Sequence, residues 1–204
     1  LPFGDDASAI EIGDGEVAVI NVDMLVRKTD VPKKMSLWQA ARKAVIMNLS
    51  DLAAKGAKPV ALLVSVGLPS DLTETDILEI GKGLNTGARE YGTYILGGDT
   101  NQAPDLIINC TAIGTCNKNH LMKRSGAKPN DILAVTGFFG KTASGLKILM
   151  NNLSAPDLEK PLVESVTMPK ARVNEGTALA KSQTATACID SSDGLAWSLH
   201  EISQ

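Results

Sequence analysis

WQAARKAVIMNLSDLAAKGAKPVALLVSVGL, residues 38–68, runs from a helix through a stop into a strand. Trp38, Ala41, Val45, Leu49 and Leu52 recur at helical spacing, and Gly56 and Pro59 are good stop signals. Val60–Leu68 is then an apolar run that reads as a buried strand. It is bounded by prolines and falls well short of the roughly 20 residues a membrane helix needs.

The pattern continues on both sides. Val17–Val22 is a short apolar strand ending in Asp23. Thr73 with Asp76 resembles a capping box, and Ile77, Ile80, Leu84, Ala88 and Tyr91 carry a second amphipathic helix to Gly92. Thr93–Leu96 and Leu106–Gly114 read as further strands. Alternating strands and helices over the first ~115 residues predict an α+β or α/β domain, residues 1–116. A polar linker, Cys116–Pro129, leads into a second unit, residues 117–204. There the pattern predicts strands at Ile132–Thr136 and Ala185–Ile189, and helices at Thr142–Asn151 and Arg172–Lys181.

Composition narrows the function. The chain has 204 residues, 44% hydrophobic and 21% charged, as expected of a soluble globular protein with room for two modest domains. A net charge of -3 and 3% aromatic residues argue against a nucleic-acid partner, and no segment is suited to a membrane. Three cysteines without a CxxC pair suggest neither a disulfide framework nor a zinc site, which fits a cytoplasmic setting. The start at Leu1 and the end soon after a new helix begins read as an incomplete chain.

The recurring chemical device is an apolar segment that ends in Asp beside Gly, Ser or Thr. It occurs at Gly4-Asp5-Asp6, Asn21-Val22-Asp23, Gly97-Gly98-Asp99-Thr100 and Asp190-Ser191-Ser192-Asp193-Gly194. Each alone is what a turn prefers, but their number points to a shared site. Asn48, Asp51 and Lys55 form a polar stripe on the first helix, either a solvated face or the edge of a cleft. Converging carboxylates repel unless cations bind, and hard oxygen ligands select Mg²⁺ or Ca²⁺. Mg²⁺ held this way completes its shell with substrate phosphates. Gly97-Gly98 adds unobstructed backbone N–H groups suited to an anion.

Other chemistries find little support. Gly137-Phe138-Phe139-Gly140-Lys141-Thr142 imitates a Walker A loop, but the first glycine of that motif would fall on Val135. His120 and His200 lack neighbouring ligand spacing. No serine sits in a GxSxG elbow.

Together these motifs resemble the thiamine-monophosphate kinases. That family lies within a superfamily of aminoimidazole ribonucleotide synthetases, selenophosphate synthetases and a hydrogenase-maturation dehydratase. The likeness runs through Gly4–Ala7, Asp23–Val26, Lys43-Ala44, Asn48–Ala54, Gly56-Ala57, Gly97–Thr100, Arg124–Pro129 and Asp190–Leu195. It implies an N-terminal α+β domain that dimerises through its sheet and a C-terminal α/β domain, incomplete here, that closes over the site. The implied reaction moves the γ-phosphoryl of ATP to thiamine monophosphate, with several Mg²⁺ ions.

The resemblance assigns residues by position. Asp6, Asn21, Val22, Asp23, Asp51, Asp99, Asp190 and Asp193 would lie at the metals, and Gly98, Asp99, Arg124 and Ser192 would touch ATP. Asp51, Asp99 and Arg124 would carry catalysis. Three departures stand out: Asn21-Val22 replaces a common hydroxyl pair, Asp30 replaces a histidine near the acceptor, and a Gly-Gly-Glu-Asp segment of the thiamine pocket would lie beyond Gln204. Within the superfamily, a selenophosphate synthetase would carry a cysteine near its start, whereas the first cysteine here is Cys110. A non-catalytic nucleotide-binding protein that keeps these loops for structure is the alternative from a different class.

Overall fold

The computed structural model describes residue 1 and residues 3–204. Five strands, β1 (Ser8–Gly13), β2 (Glu16–Val26), β3 (Lys58–Leu68), β4 (Ile95–Gln102) and β5 (Ile107–Asn117), form one sheet in the order β1-β2-β5-β3-β4. All neighbours are antiparallel except β3 and β4. Between them run a short α1 (Arg27–Asp30), α2 (Leu37–Ala54) and α3 (Glu74–Arg89). The architecture is the mixed α+β arrangement that the alternating pattern predicts.

The strongly periodic segments fold as their spacing dictates. Val45, Leu49 and Leu52 of α2 are buried, in one core with Val19, Leu25, Leu62, Val64, Ile108 and Cys110 from the inner face of the sheet. Each such aliphatic side chain contributes about 1.5–3 kcal/mol on full burial. Close packing of α2 against α3 depends on glycine, since a Cβ on Gly83 would stand 2.3 Å from the Trp38 carbonyl oxygen. Both long helices open with a capping box, Ser36 with Gln39 and Thr73 with Asp76. Thr73→Ala removes an acceptor for the Asp76 N–H, and we expect it to lower stability by about 1 kcal/mol in chemical denaturation.

Several boundaries differ from the pattern for identifiable reasons. Strand β2 does not end at Asp23 but continues to Val26, because Met24-Leu25-Val26 keep pairing with Asn109, Ile108 and Ile107. Pro59 lies inside β3 rather than before it. Its missing N–H is tolerated because β4 joins β3 only from Leu62 onward, so that end of the strand is an edge. Gly97–Thr100 is not a loop: it lies within β4, drawn into parallel pairing with Leu63–Val66.

Beyond a 3-10 turn at Lys118–His120, the chain forms α4 (Lys141–Asn151), α5 (Glu159–Thr167), α6 (Val173–Ser182) and α7 (Leu195–Ile202). The two predicted helices are α4 and α6, and α5 is one that the sequence pattern did not single out. The expected strands at Ile132–Thr136 and Ala185–Ile189 do not form among the described residues. A strand exists only through a hydrogen-bonded neighbour. Ile132, Leu133 and Val135 are exposed and unpaired, while the second segment has one main-chain bond across, from the Cys188 N–H to the Lys123 carbonyl. Helix α6 lies directly on α2, where a Cβ on Gly176 would stand 2.1 Å from the Ala53 oxygen.

Candidate active site

Asn21 and Asp23 alternate with outward-facing residues along β2, so both side chains point inward, toward α2. Asn48, Asp51 and Lys55 lie on successive turns of α2, and all three are buried, so the stripe borders a cleft rather than open water. The Asn21 Nδ2 donates to Asp51 Oδ2 at 2.7 Å and to Asn48 Oδ1 at 3.2 Å, and the Asp23 N–H donates to the same Asn48 oxygen at 3.1 Å. Asn48 in turn donates to the Ala44 carbonyl at 2.9 Å. Strand and helix are thereby stitched together beside Asp51.

Two remote segments close on this seam. Ser50 Oγ donates to Asp190 Oδ2 at 3.1 Å, and the Asp190 N–H donates to Asp6 Oδ2 at 3.3 Å. The Arg124 guanidinium is ion-paired to Asp6, lies 2.9 Å from Glu201 and donates to the Gly4 carbonyl at 2.7 Å. A small cavity beside it is lined by Arg124, Asp190, Ser192, Asp193 and Trp197, among others.

The electrostatics record crowding of like charges. Burial, and then the charges of Asp190, Asp23 and Asp6, push the Asp51 carboxyl up to about 9. Asp190 is pushed up to about 6, first by burial and then by Asp6, with Asp23 and Asp193 adding to it. Burial and the Asp193 charge raise Asp23, partly offset by Asp51 beside it. Carboxylates on one strand, on one helix and on two remote loops therefore share one electrostatic neighbourhood.

The donor set suits a hard cation. It is entirely oxygen, and the buried Asn21 Oδ1 has no hydrogen-bond partner in the structure. As they stand, no three His, Cys, Asp or Glu side chains among the described residues close on one point.

The sequence-predicted residues thus divide into two groups. Asp6, Asn21, Asp23, Asp51, Asp190, Asp193 and Arg124 share this region. Val22 contributes backbone only, since its side chain is exposed on the opposite face of the sheet. Gly98 shares a row with Val64, Cys110 and Asp23, which puts it three strands, about 14 Å, from Asp23. Asp99, one residue on, is exposed and pairs in the row of Ser65, Asn109 and Met24, facing away from α2. Ser192 is exposed at the mouth of the cavity. The Asp30 carboxylate accepts the Val26 N–H at 2.7 Å, so it closes a local turn.

Sequence reasoning missed Lys55, Ser50 and Asn48 as site residues. The Asn48/Asp51/Lys55 stripe was the available signal, but periodicity alone does not say which polar face is buried.

Residues 4–116 match the family model described as AIR synthase related protein, N-terminal domain. A thiamine-monophosphate kinase from Pyrococcus horikoshii is 41% identical over 202 residues, covering 99% of this chain and 63% of that protein. One from Bacillus subtilis is 36% identical over 209 residues, again covering 99% and 63%. The crystal structure of thiamine-monophosphate kinase from Stenotrophomonas maltophilia K279a is 29% identical, with a TM-score of 0.83, over 99% of this chain and 65% of that one. The chain therefore spans somewhat less than two thirds of the length of the curated relatives it matches.

Proposed function

The chain belongs to the family of AIR synthase related proteins, and on that premise we propose that it is part of a Mg²⁺-dependent kinase that phosphorylates thiamine monophosphate. The γ-phosphoryl of ATP would pass to the phosphate of the acceptor, giving thiamine diphosphate and ADP. Residues 1–116 form the nucleotide- and metal-binding domain in this reading, and residues 117–204 begin an α/β domain that closes over it. One observation carries the proposal. Asp6, Asp23, Asp51, Asp190 and Asp193 come from four separate segments of the chain and share one electrostatic neighbourhood, with Arg124 ion-paired to Asp6, in a chain whose relatives are named for this activity.

Asp6, Asp23, Asp51, Asp190 and Asp193 are assigned to Mg²⁺, with the unpartnered Asn21 Oδ1 and the Val22 backbone beside them. The ions, when bound, neutralise the facing polyphosphates. The protein's own groups hold the geometry. Arg124 sets a fixed positive charge at the mouth of the cavity for the nucleotide, and the Ser192 hydroxyl lies at the same rim. No strong general base is required, because the acceptor phosphate has a second pKa near 6 and is largely a dianion at neutral pH. What remains is positioning and charge compensation, which dominate phosphoryl transfer.

Gly98, in the inner row of the sheet, and Asp99, on its outer face, are assigned to ATP. That face also exposes Ile10, Ile12, Val22, Met24 and Leu63, an apolar surface that supports pairing with a second copy of the chain. Asp30 is assigned to the acceptor side, where it shapes the loop through the Val26 N–H. No helix among the described residues is long and apolar enough to cross a membrane. The free thiols of Cys110, Cys116 and Cys188 support the cytoplasmic setting.

The test is to incubate the full-length protein with ATP, Mg²⁺ and thiamine monophosphate and to follow both products. We expect thiamine diphosphate and ADP in equal amounts, abolished by chelation and restored by Mg²⁺. ADP released at the same rate without the acceptor would replace the kinase with a hydrolase. Mg-ATP binding without any thiamine diphosphate would move the reaction to another acceptor.

A further inference from the structure

Lys55 is the largest side chain without measurable exposure among the described residues. It caps the C-terminus of α2, four residues after Asp51. Its ammonium is ion-paired to Asp5, lies 2.9 Å from Asp6 Oδ2 and donates to the Cys188 carbonyl at 3.2 Å. An ammonium has three donors, and these are three acceptors. The Asp5 and Asp6 side chains are only 2% and 1% exposed.

Three segments of the chain meet at this one nitrogen. The first is the N-terminal loop bearing Asp6. The second is the end of α2, and the third is the Cys188–Asp190 stretch. The contacts interlock, because the Asp190 N–H donates to the same Asp6 oxygen that Lys55 holds, and the Arg124 N–H donates to Asp5 Oδ2 at 3.0 Å. The Lys55 ammonium makes its contacts with Asp5, Asp6 and the Cys188 carbonyl, and it makes no ion pair or hydrogen bond with Asp51 or Asp23.

We propose that Lys55 is a positioning residue, which pins Asp6 and the Asp190 segment against α2 so that the cation-binding carboxylates are assembled before any ion arrives. This rests on the metal-dependent kinase reading above. A purely structural role would not require a charge at this place. Replacing a buried ion pair with apolar groups of similar volume is often neutral or stabilising, provided no partner is left unpaired. What an apolar side chain cannot do is orient a carboxylate. The groups that orient metal ligands typically govern metal affinity by 10–100-fold.

The test uses the full-length protein carrying Lys55→Met with Asp5→Asn, which removes one buried positive and one buried negative charge together. Two readouts are needed: the melting temperature in chelator, and the Mg²⁺ concentration that half-saturates binding of a non-hydrolysable ATP analogue. We expect a melting temperature close to that of the unsubstituted protein and a Mg²⁺ midpoint raised about 10–100-fold. Lys55→Gln with Asp5→Asn keeps N–H donors without the charge, and its midpoint should fall between the two. A folded Met variant with an unchanged Mg²⁺ midpoint would overturn the assignment. So would failure of both pairs to fold, because the lysine would then hold the fold rather than the site. If the unsubstituted protein itself shows no Mg²⁺-dependent nucleotide binding, the kinase reading fails, and that outcome is visible before any variant is made.

Discussion

Asp51→Asn is expected to lower phosphoryl transfer by at least about 10²–10³-fold while leaving the metal-free protein as stable as before, or more so. The substitution is nearly isosteric, and its amide oxygen can still accept from Asn21 Nδ2, the 2.7 Å bond that ties β2 to α2. What it removes is the charge that a cation would use. Stability should move the other way. Asp51 is pushed from an ordinary 3.8 up to about 9, by burial and then by Asp190, Asp23 and Asp6. A carboxyl raised on folding contributes stability that is fully present below its unfolded pKa. That stability is lost as pH rises toward the folded value.

In chelator, then, the melting temperature of the variant should exceed that of the parent by a margin that widens between pH 6 and pH 8. Saturating Mg²⁺ should narrow or reverse the gap, since only the parent gains the full benefit of binding. Activity close to that of the parent, together with reduced stability in chelator, would remove Asp51 from the reaction and make it a structural residue.

Gly98→Ala is expected to be the most damaging single methyl group at any glycine of residues 1–116. Its Cβ would stand 1.7 Å from the Val64 oxygen and 2.6 Å from the Val64 carbonyl carbon, both main-chain atoms of the neighbouring strand β3. No rotamer change relieves such a contact. The β3–β4 pairing must open, at a cost of about 3 kcal/mol, which for a chain of this size lowers the melting temperature by roughly 6–12 °C. Because Asp99 follows in the same strand, nucleotide affinity should fall with it. Gly97→Ala is the control: nothing lies within 4 Å of a Cβ there, so a small effect is expected. Equal effects at the two positions would show that chain flexibility, not close approach to β3, accounts for Gly98.

How far local sequence dictates structure along this chain follows from the range of the forces involved. Helix α2 and its stop at Gly56 were legible because burial of Val45, Leu49 and Leu52 repeats at short range. Lys55 was half legible. It lay on the stripe with Asn48 and Asp51, yet a helical period describes a solvated face and a buried polar seam equally well. Only packing against the N-terminal loop and Cys188 distinguishes them. Gly97–Thr100 has the composition of a turn, and it became strand because β3 offered a free parallel edge. Ile132–Thr136 has the composition of a strand and is not one, for want of a partner.

By itself, then, the sequence determined the order of α2, α3 and the strands β2 to β5, though not β1 or α1, and the oxygen-only chemistry of the recurring Asp motifs, because periodicity, turn preference and ligand hardness are properties of short stretches. Tertiary structure alone decided which carboxylates meet. Asp6 and Asp190 are 184 residues apart and share a hydrogen bond, while Asp99 faces away from α2 on the edge strand. Such proximity depends on how the N-terminal loop, α2 and the Cys188–Asp190 segment pack around one buried ammonium, and no local pattern encodes it.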